Sequence, residues 1–177
     1  MRWNIDPTHT SIEFSVKHLG IATVRGRFRK FDAVAEAGPD GQLKRVEATI
    51  EAASVDTGVD QRDDHLRSAD FFDVAKFPQI RFLSTRIEPK GAGESLITGD
   101  LTLRGVTRPV NFTLEQGGAI KDPWGNQRVA STATGKLSRK EWGLIWNQLL
   151  ELGGVAVSDE VKFTFEVQVV AAQAVAA

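Results

Sequence analysis

The 177-residue chain contains no cysteine, which excludes disulfides, thiolate metal sites and a cysteine nucleophile. Tyrosine is absent too, and histidine occurs only 3 times, at His9, His18 and His65. Those scattered imidazoles are too few for an all-histidine metal cluster with a separate base. Charge of one sign is also lacking. The 22 Lys and Arg against 23 Asp and Glu give a net charge of -1, so there is no broad positive footprint for nucleic acid. Proline is sparse, at 6, and no Gly- or Pro-rich stretch divides the chain into domains. No run approaches the ~18 apolar residues of a membrane-spanning helix. Met1-Arg2-Trp3-Asn4-Ile5-Asp6 has no apolar leader core. The expected location is cytoplasmic as numbered, with a periplasmic or exported location as the alternative if a leader was removed.

What is present is 10 Phe, 4 Trp and a period of two. Val161, Phe163, Phe165, Val167 and Val169 alternate with polar residues, the mark of a half-buried strand. Ile12, Phe14 and Val16 do the same, as do Val110, Phe112 and Leu114, and Ala48, Ile50 and Ala52. Further strands are expected over 23–37, 79–88, 95–104 and 128–137. Turn chemistry separates them at Gly38-Pro39-Asp40-Gly41, Pro89-Lys90-Gly91-Ala92-Gly93 and Asp122-Pro123-Trp124-Gly125-Asn126. About eight strands that pair with near neighbours predict an all-β antiparallel domain, either a sandwich or a closed barrel. Two stretches depart from this period. Residues 60–69 read as a short helix with Val59, Leu66 and Ala69 on its inner face, and residues 141–152 as a short helix or a lid-like loop. Bulky inward Phe mixed with small Ala33, Ala35, Ala48, Ala133 and Gly135 permits an open lumen, and an eight-stranded barrel can hold one small ligand.

Several groups resemble chemistry in outline. Asp56-Thr57-Gly58 matches the loop of aspartic proteases, but those need two carboxylates sharing one proton, and the reading preferred is an aspartate at a turn. Asp60, Asp64 and His65 are metal-ligating types, yet Arg62 and Arg67 share their turns and no ligand spacing is matched. Arg25, Arg27, Arg29 and Lys30 form a basic patch, read as solvent-side strand decoration. His18 closes a strand at the inward parity of Phe14 and Val16. It serves either as a histidine of the core or barrel mouth or as a polar contact for a ligand head group.

The chain resembles the YceI-like, polyisoprenoid-binding proteins over nearly its whole length. The resemblance is carried by Trp3 through Gly20, then by Val24-Arg25-Gly26-Arg27-Phe28, Ser54-Val55-Asp56-Thr57 and Arg62-Asp63-Asp64-His65-Leu66. Asp70-Phe71-Phe72-Asp73-Val74-Ala75-Lys76-Phe77-Pro78 is its most specific block, with Gly99 through Val110 and Asp159-Glu160-Val161 further along. There are departures: Thr10 stands between His9 and Ser11, and the usual Asn-Arg-x-x-Phe-Gly reads Ser138-Arg139-Lys140-Glu141-Trp142-Gly143. A Trp in place of that Phe is expected to narrow the cavity.

The resemblance implies an antiparallel eight-stranded lipocalin-like barrel with one or two short helices. Residues 1–172 would form a single domain, with 173–177 as a frayed tail. It implies a non-enzymatic protein that carries or sequesters a long-chain isoprenoid, such as a quinone tail or prenyl phosphate. Joined to the inward strand parities, it gives a lipid-facing set of Phe14, Val16, His18, Phe28, Phe82, Leu101, Leu103, Phe112, Leu114, Trp142, Trp146, Phe163 and Phe165. Trp142 and Trp146 are expected either to gate that cavity or to fill it. No catalytic or metal residue is implied, and no cofactor beyond the bound lipid. The expected partners are the apolar ligand, a transient membrane contact and a second copy in a homodimer, with no nucleic acid. The alternatives are a hydrolase or isomerase acting on a lipid-like substrate, and a structural or dimerising barrel with a filled core.

Overall fold

Alternating apolar and polar side chains make strands, and strands dominate the computed structural model, which describes residues 1–172. In chain order they are β1 (Arg2–Ile5), β2 (Ser11–His18), β3 (Ala22–Phe28), β4 (Phe31–Ala37), β5 (Leu43–Glu51) and β6 (Val55–Asp56). Then come β7 (Gln79–Gly91), β8 (Glu94–Leu103), β9 (Val106–Lys121), β10 (Gln127–Ser138) and β11 (Glu160–Ala171). One α-helix, α1 (Asp60–Arg67), follows β6, and 3₁₀ turns occupy Pro7–His9, Ala52–Ser54 and Arg139–Trp142. The tail expected over 173–177 lies outside the described residues.

The eleven strands build eight staves, because three staves are broken. β1 and β2 lie end to end along β11: Trp3–Ile5 face Val169–Ala171, and Ser11–Ser15 face Lys162–Glu166. β4 and β3 run beside them, and β5 and β6 beside those in turn. The staves follow chain order, all antiparallel, and β11 against β1 closes the ring. The closed barrel is therefore the architecture, and the sandwich is not. The single strand expected over 23–37 breaks at Arg29 and Lys30. Their N–H groups leave the ladder for Ser54, to its carbonyl oxygen at 3.1 Å and its hydroxyl oxygen at 3.1 Å.

The barrel has two unlike ends. The β4–β5, β7–β8 and β9–β10 turns mark the hairpin end. The β2–β3 turn, α1 and the segment from 143 to 159 cluster at the other, here called the loop end. Only Leu66 of the three apolar residues expected to face inward from α1 packs on the core, while Val59 and Ala69 are exposed. Polar bonds fix this helix instead. Buried Asp63 accepts the Thr57 N–H at 2.8 Å and the Thr57 hydroxyl at 2.6 Å, and Arg67 donates to the Ala53 and Val55 carbonyls at 2.9 and 3.0 Å. The stretch expected over 141–152 as helix or loop starts with the last turn of a 3₁₀ helix. That helix ends at left-handed Gly143, and the chain continues as a loop folded back through a Leu149–Val155 bridge.

Candidate functional site

Strand parity puts one apolar side chain of every second residue inside, and these enclose a cavity of ≈ 1240 Å³. From β11 the wall takes Val161, Phe163, Phe165, Val167 and Val169, and from β2 Ile12, Phe14, Val16 and His18. Phe28, Phe82, Leu101, Leu103, Phe112 and Leu114 complete the expected strand positions. The rings form a chain around the wall: Phe82 and Phe112 lie 5.3 Å apart, Phe112 and Phe163 6.1 Å, and Phe163 stacks on Phe165 at 5.1 Å.

The lumen stays open because glycines seat these rings against the wall. Phe14 faces Gly26 across the ladder, and Phe163 faces Gly135. A Cβ on Gly135 would stand 2.5 Å from the Phe163 Cζ, and one on Gly99 would stand 2.6 Å from the Phe82 Cε2. With hydrogen in place of that methyl, each ring lies flat on the neighbouring strand instead of projecting to the axis.

Polar groups line the cavity at both ends: Asp40, Gln42, Glu94 and Gln116 at the hairpin end, and Arg62, His65 and Arg139 at the loop end. The Arg62 guanidinium is oriented by Thr57, which accepts from Nε at 2.7 Å through its hydroxyl and from Nη2 at 2.9 Å through its carbonyl. Among the described residues no carboxylate pairs with Arg62 and its Nη1 makes no hydrogen bond to protein, while the residue lines the cavity. His65 hydrogen-bonds Asp70 at 2.8 Å and stands edge-on to Trp146 and Phe71 at 4.6 and 5.1 Å. Buried Arg139 gathers the loop, donating to the carbonyls of Ser158, Leu144, Trp146 and Val157. Burial lowers its pKa, opposed by nearby Asp159.

Trp146 lines the lumen, whereas Trp142 does not. Trp142 is 1% exposed, packed under the 3₁₀ turn outside the cavity, with Nε1 donating to the Leu101 carbonyl at 3.0 Å. The expected narrowing of the cavity by this Trp is thus corrected. Its indole needs a hydrogen-bond partner when buried, and the Leu101 backbone supplies it on the outer side of β8. His18 lies at the exposed rim of the lumen rather than in a closed core. Ile97, fully buried and lining the cavity, was not in the expected set although it shares the parity of Leu101 and Leu103. Arg62 and His65 are not in the expected lipid-facing set, since strand parity does not reach a helix; in the sequence His65 stands out only as a metal-ligating type beside Asp60 and Asp64, and Arg62 as a cation opposing that reading.

The other constellations have structural partners. Asp56 accepts the Gly58 N–H at 2.8 Å, which lowers its pKa most, and also binds Arg29, the pattern of a turn aspartate. Arg27 joins the same carboxylate, and Lys30 pairs with Glu51. Among the described residues no three His, Asp or Glu side chains are grouped to hold a metal ion.

The model of the YceI-like domain matches residues 3–169. A UPF0312 protein of Staphylococcus aureus (strain bovine RF122 / ET3-1) is 38% identical over 163 residues, 91% of this chain and 92% of its own. The Campylobacter jejuni YCEI protein superposes with a TM-score of 0.78 at 30% identity, covering 89% of this chain and 90% of that one. Burkholderia cenocepacia BcnA shares the fold with a TM-score of 0.80 at 22% identity, over 93% and 98% of the two chains. A polyisoprenoid-binding domain from Saccharophagus degradans, implicated in plant cell wall breakdown, shares it at 0.67 and 15%, over 96% and 98%. With its closed eight-stave barrel and this match across nearly its full length, the chain belongs to the YceI-like family.

Proposed function

We propose that the protein binds a long-chain isoprenoid or similar lipid in the barrel and carries or sequesters it without a catalytic step. The observation that carries this reading is the continuous apolar lumen of ≈ 1240 Å³ with its rings seated flat on glycines. The polyisoprenoid-binding domain of Saccharophagus degradans, built on the same fold, supports it. Each buried CH₂ contributes ~0.8 kcal/mol, so a five-carbon isoprene unit contributes up to ~4 kcal/mol. Association costs about 4–15 kcal/mol in lost freedom. Four or more enclosed units therefore bind well, and the tail dominates affinity. The head group, a quinone or a phosphate, sits at the loop end, where Arg62 presents free N–H groups. At that end Asp63 is engaged by Thr57 and Asp64 by Arg67, while His65 keeps one ring nitrogen beyond its bond to Asp70 and is the group on which an enzymatic alternative would rest.

Titration of the lipid-free protein with a prenyl ligand, followed by tryptophan fluorescence, tests the ranking of tail over head. Phe165→Asp buries a carboxylate in the lumen and is expected to abolish binding, whereas His18→Ala changes affinity by less than about threefold (under ~0.7 kcal/mol). The reverse order, with a folded Phe165→Asp protein retaining the ligand, contradicts the reading. An activity on lipid-like substrates with a bell-shaped pH profile lost in His65→Ala would favour an enzyme instead.

A further inference from the structure

The loop end carries side chains that neither the lumen nor the core uses. Ile21 is 85% exposed and Leu149 83%, Leu152 is fully exposed, and Leu19, Ile145 and Val155 are open as well. Two segments supply all six, and backbone bonds join them into one rim. Leu19 N–H donates to the Ala156 carbonyl at 2.8 Å, and His18 bridges Val157. The rim borders the lumen, which His18, Leu144 and Val157 line from beneath. The tip also breaks a local rule. Leu19 and Gly20 both have positive φ, 54° and 71°, in a turn closed by Ile21 N–H to the His18 carbonyl at 3.2 Å. Asn or Gly suits such a turn. The same left-handed pair recurs at Arg104-Gly105 between β8 and β9, so what sets the tip apart is that its non-glycine residue is an apolar side chain left in solvent.

Beneath the rim lies a belt of cations. Residues 14–31 hold five Lys and Arg and no acid. Arg25 stands opposite Ser15, Ser15 opposite Lys162, and Lys162 opposite Lys136, one row on the outer face of β3, β2, β11 and β10. Among the described residues Lys17, Arg25 and Lys162 make no ion pair, while Lys136 pairs with Glu160 at 3.4 Å. At ~3.3 Å per residue, Lys17 lies ~7 Å and Arg25 ~13 Å back from the tip. Apolar side chains of peripheral proteins enter a bilayer by ~5–10 Å, which sets these cations at headgroup level. The acids nearby are few or engaged. Glu151 alone is acidic in 143–158, and Asp159 is held by Lys140. Glu13 lies opposite Arg27; α1 and its flank bring three more to the same end, Asp64 paired with Arg67, Asp70 paired with His65, and Asp60.

We propose that this rim is a docking surface for an anionic lipid bilayer, with the apolar tips inserted and the Lys17–Arg25–Lys162 belt on the headgroups. A second copy fits less well. A two-fold contact sets the same patch against itself, so it would bring two belts of the same positive sign together and supply no anionic surface to the unpaired cations. That the rim serves to pass a lipid tail between bilayer and lumen rests on the carrier reading; the docking itself does not.

Co-sedimentation of the full chain with vesicles tests it. Vesicles of phosphatidylcholine and phosphatidylglycerol in equal parts are expected to bind the protein, and phosphatidylcholine alone or high salt to bind it at least tenfold less. Lys17→Glu with Arg25→Glu, and separately Leu149→Ser with Leu152→Ser, each weaken binding at least about tenfold. Glu151→Lys tightens it about fivefold. The inference is overturned by absent vesicle binding, or by binding lost in Trp124→Ser at the hairpin end but kept in the rim variants. A wild-type dimer that Leu149→Ser with Leu152→Ser dissociates, without vesicle binding, overturns it too. Each variant is also titrated with a soluble short-chain isoprenoid. Retained uptake with lost docking shows a folded protein and isolates the rim, whereas docking without uptake removes the carrier reading and leaves the rim.

Discussion

Gly26, Gly99 and Gly135 set the width of the lumen as much as the phenylalanines that rest on them. At Gly26 the three atoms nearest an added Cβ all belong to the Phe14 ring, with Cε1 at 2.8 Å, whereas at Gly99 the Leu83 carbonyl oxygen is among them at 2.5 Å. Gly26→Ala is thus expected to fold with the Phe14 ring turned inward. Its affinity for a long isoprenoid falls about tenfold, the loss of roughly two buried CH₂ groups, and trimming the ring in Gly26→Ala with Phe14→Leu restores part of it. Calorimetric titration reads both. Trp142 is the opposite case. Trp142→Phe removes the indole N–H bond to the Leu101 carbonyl and lowers stability by about 1 kcal/mol, with ligand affinity unchanged; urea unfolding beside the same titration separates the two. The inward Phe positions were legible because strand parity is strict. The glycine seats and the outward placement of Trp142 were not, since they depend on which residue lies across the ladder, and register does not show in one strand's own pattern.

Ionic clasps hold the elements that parity leaves undetermined. Arg128 on β10 donates to Asp6 at 2.6 Å and to Asp122 at 2.7 Å, tying the β9–β10 hairpin to the first 3₁₀ turn. The Arg128 hydrogen bond is the main cause that lowers Asp122 from 3.8 to about 2. For Asp6, burial acts to raise the pKa, but hydrogen bonds from His9, Arg128 and the Thr8 N–H outweigh it and leave it at about 2. Both carboxylates titrate lower in the folded state. Their contribution is therefore present above 3.8 and is lost as the pH falls from there towards 2. Arg128→Ala is expected to lower the Tm at neutral pH and to flatten its decline through that acid window; thermal melts across pH check it, and an unchanged acid slope counts against the clasp. The charges of α1 mark it as a helix in the sequence, but of its expected inner face only Leu66 packs on the core, because Asp63 on Thr57 and Arg67 on the Val55 carbonyl do most of the anchoring. Residues 141–152 are illegible for the same reason: Arg139 organises that loop through four carbonyls, a role no periodicity announces.

At the scale of the molecule, the barrel was foreshadowed by strands that pair with chain neighbours, yet closure required β11 to meet both β1 and β2, a contact between the chain's two ends. Alternation alone fits a sandwich equally. Closure is what converts a row of inward rings into an enclosed lumen, and the lumen is what the whole functional account needs. The most direct test is organic extraction of the purified, detergent-free protein with mass spectrometry of the extract, followed by uptake of added prenyl lipid. The account predicts an isoprenoid at near-stoichiometric amount, or stoichiometric uptake by protein that was isolated empty. An empty extract together with no measurable uptake contradicts it.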